Sequence, residues 1–555
     1  MESQTEKVVL PILEAFFRHE RKHPHRTYLI QPLGDGKKQQ LSWAEVGDQA
    51  RRFANWLRQQ PLPERSHIAI ISKNCAHWII ADLAIWMAGH VSVPLQPTLS
   101  AHAMRQILEH SEARMVIMGK LDRWEDIRGA LPASLPRVGL PLAEVDDSVQ
   151  PWDQLQAETA PIQQVILRAP SDLATIIYSS GTTGLPKGCM LSFDSMYFAA
   201  KSYLRLFLVT DQDRVLSWLP LSHIAERQFV EMQSLLSGMT VYFAHSRASF
   251  IRDIRRARPT LFLGTPATWQ QIRQGVQQRM QQRVLNRAMG IPLLRKRAAL
   301  KLLDQAGLDQ VRFAVVCCDT TPTETMDWYH RTGVKLFEIY GLTENCGYSH
   351  VGRPGRFRPS WCGLPNPGVE CRLDERGELL VRSQANMLGY FKNPQRTSGV
   401  LDEQGFLHTG DRGEIDQEGY LRLSGRMSDL FHTSEGKLVV PQPIEHGLLN
   451  HPLIEYACVA GNGLPAPLAL VSLTEAGRQL PRHEVERELD ALLHQVNSRL
   501  LRHERLACLV VSSDAWQEDC EAITATQQLR RGVIRARYHD RFGDWLVSGT
   551  TIVWQ

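Results

Sequence analysis

The sequence predicts an α/β protein: a large N-terminal domain of parallel strands layered with helices, a β-rich portion after it, and a small piece at the end. Three observations carry this. His67-Ile68-Ala69-Ile70-Ile71-Ser72, Trp78 to Ala88 and Val91-Ser92-Val93-Pro94-Leu95 read in succession as strand, helix and strand, the order of a parallel crossover unit. Leu173-Ala174-Thr175-Ile176-Ile177, Val311 to Val316 and Leu336-Phe337-Glu338-Ile339-Tyr340 are further short apolar runs of buried-strand type. From Gly363 to Arg426 the texture changes to short strands and tight turns, with Asp374-Glu375-Arg376-Gly377 and Asp416-Gln417-Glu418-Gly419 placed as hairpin turns.

At 555 residues the chain exceeds what one core usually holds, so at least two domains are expected. A helix begins at the capping box Ser42-Trp43-Ala44-Glu45 and continues through Val46, Ala50, Phe53, Ala54 and Leu57 at helical spacing. The longest apolar stretch, Trp78 to Leu95, is broken by Asp82, His90 and Pro94 and falls short of a membrane span. It reads as a buried helix running into a strand. Residues 120 to 170 are Pro-rich and weakly periodic and define no element. Residues 271 to 303 are helical in composition and basic, with Arg273, Arg279, Arg283, Arg287, Arg295, Lys296, Arg297 and Lys301. A solvated helix face is the default reading there, and a peripheral contact at the inner face of a membrane is the alternative.

A hydrophobic content of 43% and a charged content of 22% are ordinary for a soluble enzyme, and a net charge of +4 is too small on this length to imply a nucleic-acid partner, so none is expected. Ten cysteines without a regular framework, and an N-terminus without a signal-peptide pattern, make a reducing cytoplasm the expected setting.

The candidate site centres on Tyr178-Ser179-Ser180-Gly181-Thr182-Thr183-Gly184-Leu185-Pro186-Lys187-Gly188, a loop leaving the strand at 173–177. Gly181 and Gly184 permit close backbone approach, Ser179, Ser180, Thr182 and Thr183 offer hydroxyl donors, and Lys187 adds a positive charge, which together suit a polyphosphate. The spacing is not that of the NTPase P-loop, and Pro186 obstructs a helix starting directly after the glycines. The competing reading is a flexible surface turn. A second loop, Tyr340-Gly341-Leu342-Thr343-Glu344-Asn345, follows another strand, and ligands of open α/β sheets collect at strand carboxyl ends. Glu344 there suits Mg²⁺ beside phosphate oxygens, or else caps a helix. Asp411 in Phe406-Leu407-His408-Thr409-Gly410-Asp411 is a carboxylate suited to accepting two hydroxyl hydrogen bonds. His223, in the turn Leu219-Pro220-Leu221-Ser222-His223-Ile224-Ala225-Glu226-Arg227, is either structural or functional.

The loop at 178–188 resembles, almost residue for residue, the signature of the acyl-adenylate-forming enzymes. The resemblance extends through Tyr340 to Glu344, Phe406 to Asp411, Gly425-Arg426, Thr433-Ser434-Glu435-Gly436-Lys437 to Glu445, and Thr524-Ala525-Thr526-Gln527-Gln528-Leu529 to Ile534, and is closest to long-chain fatty acyl-CoA synthetases. It implies the adenylate-forming fold: a large domain over residues 1–425, its β-rich subdomain at about 363–425, and a small mobile α+β domain over 426–555. It also implies ATP-dependent activation of a medium- or long-chain fatty acid through acyl-AMP to a thioester, with ATP, Mg²⁺ and CoA. In that mechanism Ser179 to Gly184 and Lys187 hold phosphates, Thr182 and Glu344 the metal, Tyr340, Gly341, Thr343, Asp411 and Arg426 the rest of the nucleotide. His223 borders the acyl pocket, and Gly436 and Lys437 serve the thiol step.

The chain departs from the family at a telling place. The family's last motif carries a lysine in Thr-Pro-Thr-x-Lys, whereas the matching position here is Gln528, and no lysine follows Lys437. Joining two anions without that charge is expected to cost on the order of 3 kcal/mol, ~10²-fold in rate. Cys317-Cys318-Asp319-Thr320 replaces the family's Gly-Gly-Ala-Pro against adenine, and Ser428 stands at the hinge position. Two alternatives accommodate these departures: an acyl-AMP ligase serving an acyl carrier protein, and an adenylation-impaired homologue with a binding role.

Overall fold

The computed structural model describes residues 8–179, 187–279, 292–317, 321, 323–356, 358–359, 361–514, 516, 522–524 and 528–555, except positions 123, 145 and 147. Two large sheets face a common layer of helices. The eight-stranded sheet runs Gly389–Tyr390, Lys187–Ser192, Leu173–Ser179, Val91–Leu95, His67–Ile71, Ala113–Met118, Arg137–Gly139, Gln150–Pro151. Its pairs are parallel from Leu173–Ser179 to Gln150–Pro151. Lys187–Ser192 then turns back antiparallel on Leu173–Ser179, and Gly389–Tyr390 pairs antiparallel beyond it. The phosphate-loop sequence therefore joins two antiparallel strands.

The nine-stranded sheet has a parallel centre, Leu336–Tyr340, Phe313–Val316, Leu261–Gly264, Arg214–Ser217, Thr240–Phe243 and Thr27–Gly34, with antiparallel strands at both edges. Strand periodicity sends alternate side chains to opposite faces. Ile68 and Ile70 enter the core between the sheets with Val215, Leu261 and Val315, whereas Ala69 and Ile71 pack outward with Met104 and Ile107. Leu216, Phe262 and Ala314 likewise pack outward with Trp269, Met326 and Tyr329. The expected αβα layering thus occurs twice, sharing its central helices.

Helix Ala76–Met87 lies in that shared layer and is buried on every face, as its almost wholly apolar sequence requires. Asp82 is its one charged residue, and burial without a partner would be prohibitive. Arg227 supplies the partner: its guanidinium bonds Asp82 Oδ2, meets Glu231 Oε2 at 2.9 Å, donates to Thr175 Oγ1 at 2.8 Å and lies over the Trp78 and Trp86 rings at 5.3 and 5.5 Å. Arg227, Asp82 and Glu231 are fully buried. Burial raises both carboxyls, Glu231 well above its ordinary range, and the Arg227 charge opposes the rise at each. Arg227 opens a π-helical segment, Arg227–Met232, within the helix that spans 224–237.

The hairpins expected at 374–377 and 416–419 are present in a four-stranded antiparallel sheet, Glu370–Leu373, Glu378–Arg382, Leu407–Ile415 and Leu421–Arg426. Beyond it, Ile454–Ala460, Leu468–Leu473, Leu509–Val511 and Ile552–Trp554 form a mixed sheet with helices on both faces. Residues 120 to 170 contain strands of only two and three residues and two short helices, too brief to leave a period. Helices Pro266–Arg279 and Pro292–Ala306 occupy the ends of the basic stretch, and 280–291 lie outside the described residues. Among the described residues no helix is long and apolar enough to cross a membrane, and no disulfide joins the described cysteines.

Removing the guanidinium leaves buried carboxyls without compensation. Arg227→Met is expected to cost about 3–5 kcal/mol, read as a lowered urea midpoint. A midpoint within experimental error of the native value would show that the buried ions are dispensable.

Candidate functional site

Strand Leu336–Tyr340 delivers Tyr340 to the carboxyl edge of the nine-stranded sheet, and the chain then folds back on itself over residues 341–347. Only glycine fits at 341, because a Cβ there would lie 2.2 Å from the Gly347 carbonyl carbon. Leu342 N donates to Asn345 Oδ1 at 2.8 Å and Gly347 N to Leu342 O at 2.8 Å, which fixes the turn that carries Glu344. Met387 N donates to the Glu344 carbonyl at 2.8 Å, and Tyr390 Oη donates to Glu344 Oε1 at 2.7 Å. Tyr390 belongs to the edge of the eight-stranded sheet, so these bonds stitch the two sheets together at the site.

Asp411 and Arg426 are register partners in the neighbouring antiparallel sheet. Arg426 Nε lies 2.8 Å from Asp411 Oδ1, and Tyr340 Oη donates to Oδ2 at 2.7 Å. Burial raises the Asp411 carboxyl while Arg426 and the Tyr340 hydroxyl oppose the rise, and burial with the nearby carboxylate pushes Tyr340 well up. Each carboxylate oxygen keeps a second lone pair, so two ligand hydroxyls fit without displacing either tether.

Lys187 opens strand Lys187–Ser192, opposite Ser179 in register. Its Nζ lies 6.0 Å from the centre of the Tyr390 ring, and Arg396 Cζ 5.8 Å from the same centre. Burial lowers the Lys187 pKa, helped by Arg396 and Arg426 and opposed by Glu344. Lys187, Arg396 and Arg426 thus outnumber the Glu344 and Asp411 carboxylates in this neighbourhood, an electropositive setting that suits a polyanion. Ser180, Gly181, Thr182, Thr183 and Gly184 lie outside the described residues. No group of three or more His, Cys, Asp or Glu gathers to hold a metal among the described residues. The single carboxylate of Glu344 fits a Mg²⁺ that draws its other oxygens from phosphate and water.

His223 caps the helix that follows it: Ala225 N donates to Nδ1 at 3.2 Å, which leaves the ring proton on Nε2. Burial holds its pKa down at about 4, so the ring is neutral at pH 7. Ile224, next in sequence, lies 3.9 Å from where a Gly347 Cβ would be, so this turn abuts the Glu344 loop. Gly436, at φ +73° in an exposed turn, Lys437 and Gln528 are carried by the C-terminal sheet-and-helix unit. Gln528 N donates to Thr524 Oγ1 at 3.0 Å and Gln528 O accepts from Thr524 N at 2.8 Å. Cys317 is buried at the end of its strand, and Cys318, Asp319 and Thr320 lie outside the described residues.

Comparison with known proteins decides the family. Residues 16–391 match the AMP-binding enzyme family, and residues 428–544 match the AMP-binding enzyme C-terminal domain. The chain belongs to the AMP-binding enzyme family. It is 27% identical over 572 residues to the long-chain-fatty-acid–CoA ligase FadD15 of Mycobacterium bovis, an alignment covering 94% of each chain. It is 26% identical to the human long-chain-fatty-acid–CoA ligase ACSBG2, over 82% of this chain and 76% of the relative. Among solved structures it is similar in fold to the anthranilate CoA ligase AuaEII in complex with anthranoyl-AMP, with a TM-score of 0.78, 21% identity and coverage of 96% and 98%. A Bacillus subtilis o-succinylbenzoate CoA synthetase with ATP and magnesium gives a TM-score of 0.72 at 23% identity, covering 93% and 98%.

Within this AMP-binding enzyme the structure gathers Lys187, Tyr340, Glu344, Asp411 and Arg426 around one region. Tyr390, Thr409 and Arg396 join them and were not singled out from sequence. Tyr390 sits in a two-residue strand without periodicity, and Thr409, which accepts from Asp411 N at 3.1 Å, reads as an ordinary strand residue. His350, the register partner of Tyr340, is also part of the setting: it is fully buried, and burial lowers its pKa to about 3. A histidine held neutral in the fold but free to protonate at about 6.5 when unfolded stabilises above that pH, and the contribution is lost as pH falls toward 3. The stability advantage of native protein over His350→Asn is expected to shrink by about 2 kcal/mol between pH 7 and pH 5 in urea melts. A gap independent of pH would show that His350 titrates in the fold as it does in the unfolded chain.

Proposed function

We propose that the protein activates fatty acids with ATP, forming acyl-AMP and then an acyl thioester with CoA. The observation that carries this reading is the arrangement of Asp411, held open by Arg426 and Tyr340, beside the Lys187, Arg396 and Glu344 cluster. A buried carboxylate with spare lone pairs suits a ribose diol, and a lysine–arginine pair suits the phosphates. Relatives named as long-chain-fatty-acid–CoA ligases support the acyl class.

In the proposed first step a carboxylate oxygen of the acid attacks the α-phosphorus, the bond to the β-phosphate bridging oxygen breaks, and pyrophosphate leaves. Lys187 and the 180–184 loop hold the departing phosphates, Thr182 and Glu344 would hold Mg²⁺, and Tyr340, Gly341, Thr343, Asp411 and Arg426 would hold the nucleoside side. Bound Mg²⁺ supplies charge neutralisation along the phosphates. In the second step the thiol sulfur attacks the acyl carbon, its proton is lost, and AMP leaves with the bonding electron pair. His223 would border the acyl chain, and Gly436 and Lys437 would meet the thiol arm.

We also propose that the chain divides at about residue 426. Arg426 is tied to Asp411, whereas three residues on Asp429 contacts Arg531 at 3.4 Å and its carbonyl accepts from Arg535 at 3.2 Å. A swivel over 427 and 428 would carry Gly436 and Gln528 with it.

The test is pyrophosphate release with Mg-ATP over a panel of fatty acids, with and without CoA. Acid-dependent release is expected, with Lys187→Ala reducing it by ~10²-fold and Gln528→Lys raising the adenylation rate by up to ~10²-fold. No acid-dependent release from either the native protein or Gln528→Lys would sink the reading. Release unchanged by Gln528→Lys would show that the first step has no need of a cation at this position.

A further inference from the structure

The turn that carries His223 is gripped from the opposite sheet by a hub of hydrogen bonds. Asn74 lies in the loop between strand His67–Ile71 and helix Ala76–Met87 and is buried. Its Nδ2 reaches Ser217 Oγ at 2.8 Å, Glu226 Oε1 at 3.2 Å and the Leu219 carbonyl, while its Oδ1 accepts from Leu221 N at 2.9 Å. Glu226, wholly buried, meets it: Oε1 also accepts from Ser217 Oγ and Trp218 N, each at 2.9 Å. Three donors from two sheets therefore converge on one carboxyl oxygen. Glu226 Oε2 has no hydrogen-bond partner among the described residues.

We infer that Glu226, with Asn74, is a positioning residue that sets where the 219–226 turn and its His223 stand against the Glu344 loop, and so governs the acyl side of the reaction. The inference rests on the fatty-acid reading above. His223 is coupled rigidly to the hub, since its N donates to Pro220 O at 2.9 Å and its carbonyl accepts from Arg227 N at 3.1 Å. Arg227 in turn bonds Asp82, so residues 74 and 82 of one segment pin the turn at both ends. Burial holds the Glu226 carboxyl up at about 8. Its task is to offer Oε1, which a glutamine amide oxygen reproduces and a leucine does not.

The experiment compares native protein with Glu226→Gln, Glu226→Leu and Ser217→Ala, using octanoate, laurate and palmitate. It reads KM for acid and for ATP, and, without any turnover, the affinity for cis-parinaric acid by fluorescence. Glu226→Leu is expected to raise the acid KM and the parinarate Kd by about tenfold and to shift the preferred chain length, with the ATP KM changed by less than about twofold. Glu226→Gln is expected to stay within about threefold of native. Ser217→Ala, the milder variant should Glu226→Leu not fold, is expected to weaken acid binding by about threefold. Native-like acid binding in Glu226→Leu or Ser217→Ala overturns the inference, as does an equal rise in acid and ATP KM, or Glu226→Gln as damaged as Glu226→Leu. A native protein that binds parinarate but releases no pyrophosphate sinks the activity reading instead, and the affinity series still decides the role of Glu226.

Discussion

A guanidinium sealed between two β-sheets cannot be left without counter-charge, and the folded chain is arranged to supply it. Arg227 reaches Asp82 on the central helix, Glu231 one turn along its own helix, and Thr175 on the strand that leads into the phosphate loop. Sliding any of these elements by one residue would strand a buried charge, at a cost of several kcal/mol. The relative placement of the sheets therefore follows from this contact more than from the apolar packing around it, which tolerates adjustment. Trp78 and Trp86 add faces that favour a cation, which strengthens the requirement.

The site inherits that placement. Its groups come from three sheets: Tyr340 and the Glu344 turn from the nine-stranded sheet, Lys187 and Tyr390 from the eight-stranded one, Asp411 and Arg426 from the antiparallel one. Direct hydrogen bonds join them pairwise, Tyr390 to Glu344 and Tyr340 to Asp411. A tyrosine suits both joints because its ring fills the gap and its hydroxyl restrains a carboxylate without neutralising it. The two carboxylates are thus held before any ligand arrives, the condition under which electrostatic stabilisation is most effective.

Local signals in the sequence marked much of this. The strand-helix-strand run from 67 to 95 and the strand ending at Tyr340 are long and apolar enough to be read directly, and the hairpin turn at 416–419 pairs Ile415 with Leu421, whereas the bulge between Arg412 and Gly413 that then sets Asp411 opposite Arg426 has no sequence mark. Partnerships across long separations left no such mark. Asn74 and Glu226 are 152 residues apart, and Tyr340 and Asp411 are 71 apart. A lone asparagine before an apolar helix reads as a turn residue, and Arg227 reads as a solvated charge until the helix around it proves to be internal. The strands within 120 to 170 were illegible because strands of two or three residues carry no period.

The change at Gln528 is best understood as one of charge and not of scaffold. Thr524 grips the Gln528 backbone with two hydrogen bonds, and Ile523 and Leu529 bridge beside them. A lysine side chain would leave this backbone along the same bond. What differs is the field offered to two anions as they approach. Lys187, Arg396 and Arg426 remain on the large-domain side, close to the phosphates and ribose in the proposed complex, whereas the C-terminal side now offers an amide dipole. An amide can orient an oxygen through a hydrogen bond but cannot offset charge accumulating on it. In the proposed reaction that deficit falls on the joining of carboxylate to phosphate. Thioester formation releases an anion instead of uniting two, so its demand on this position is smaller.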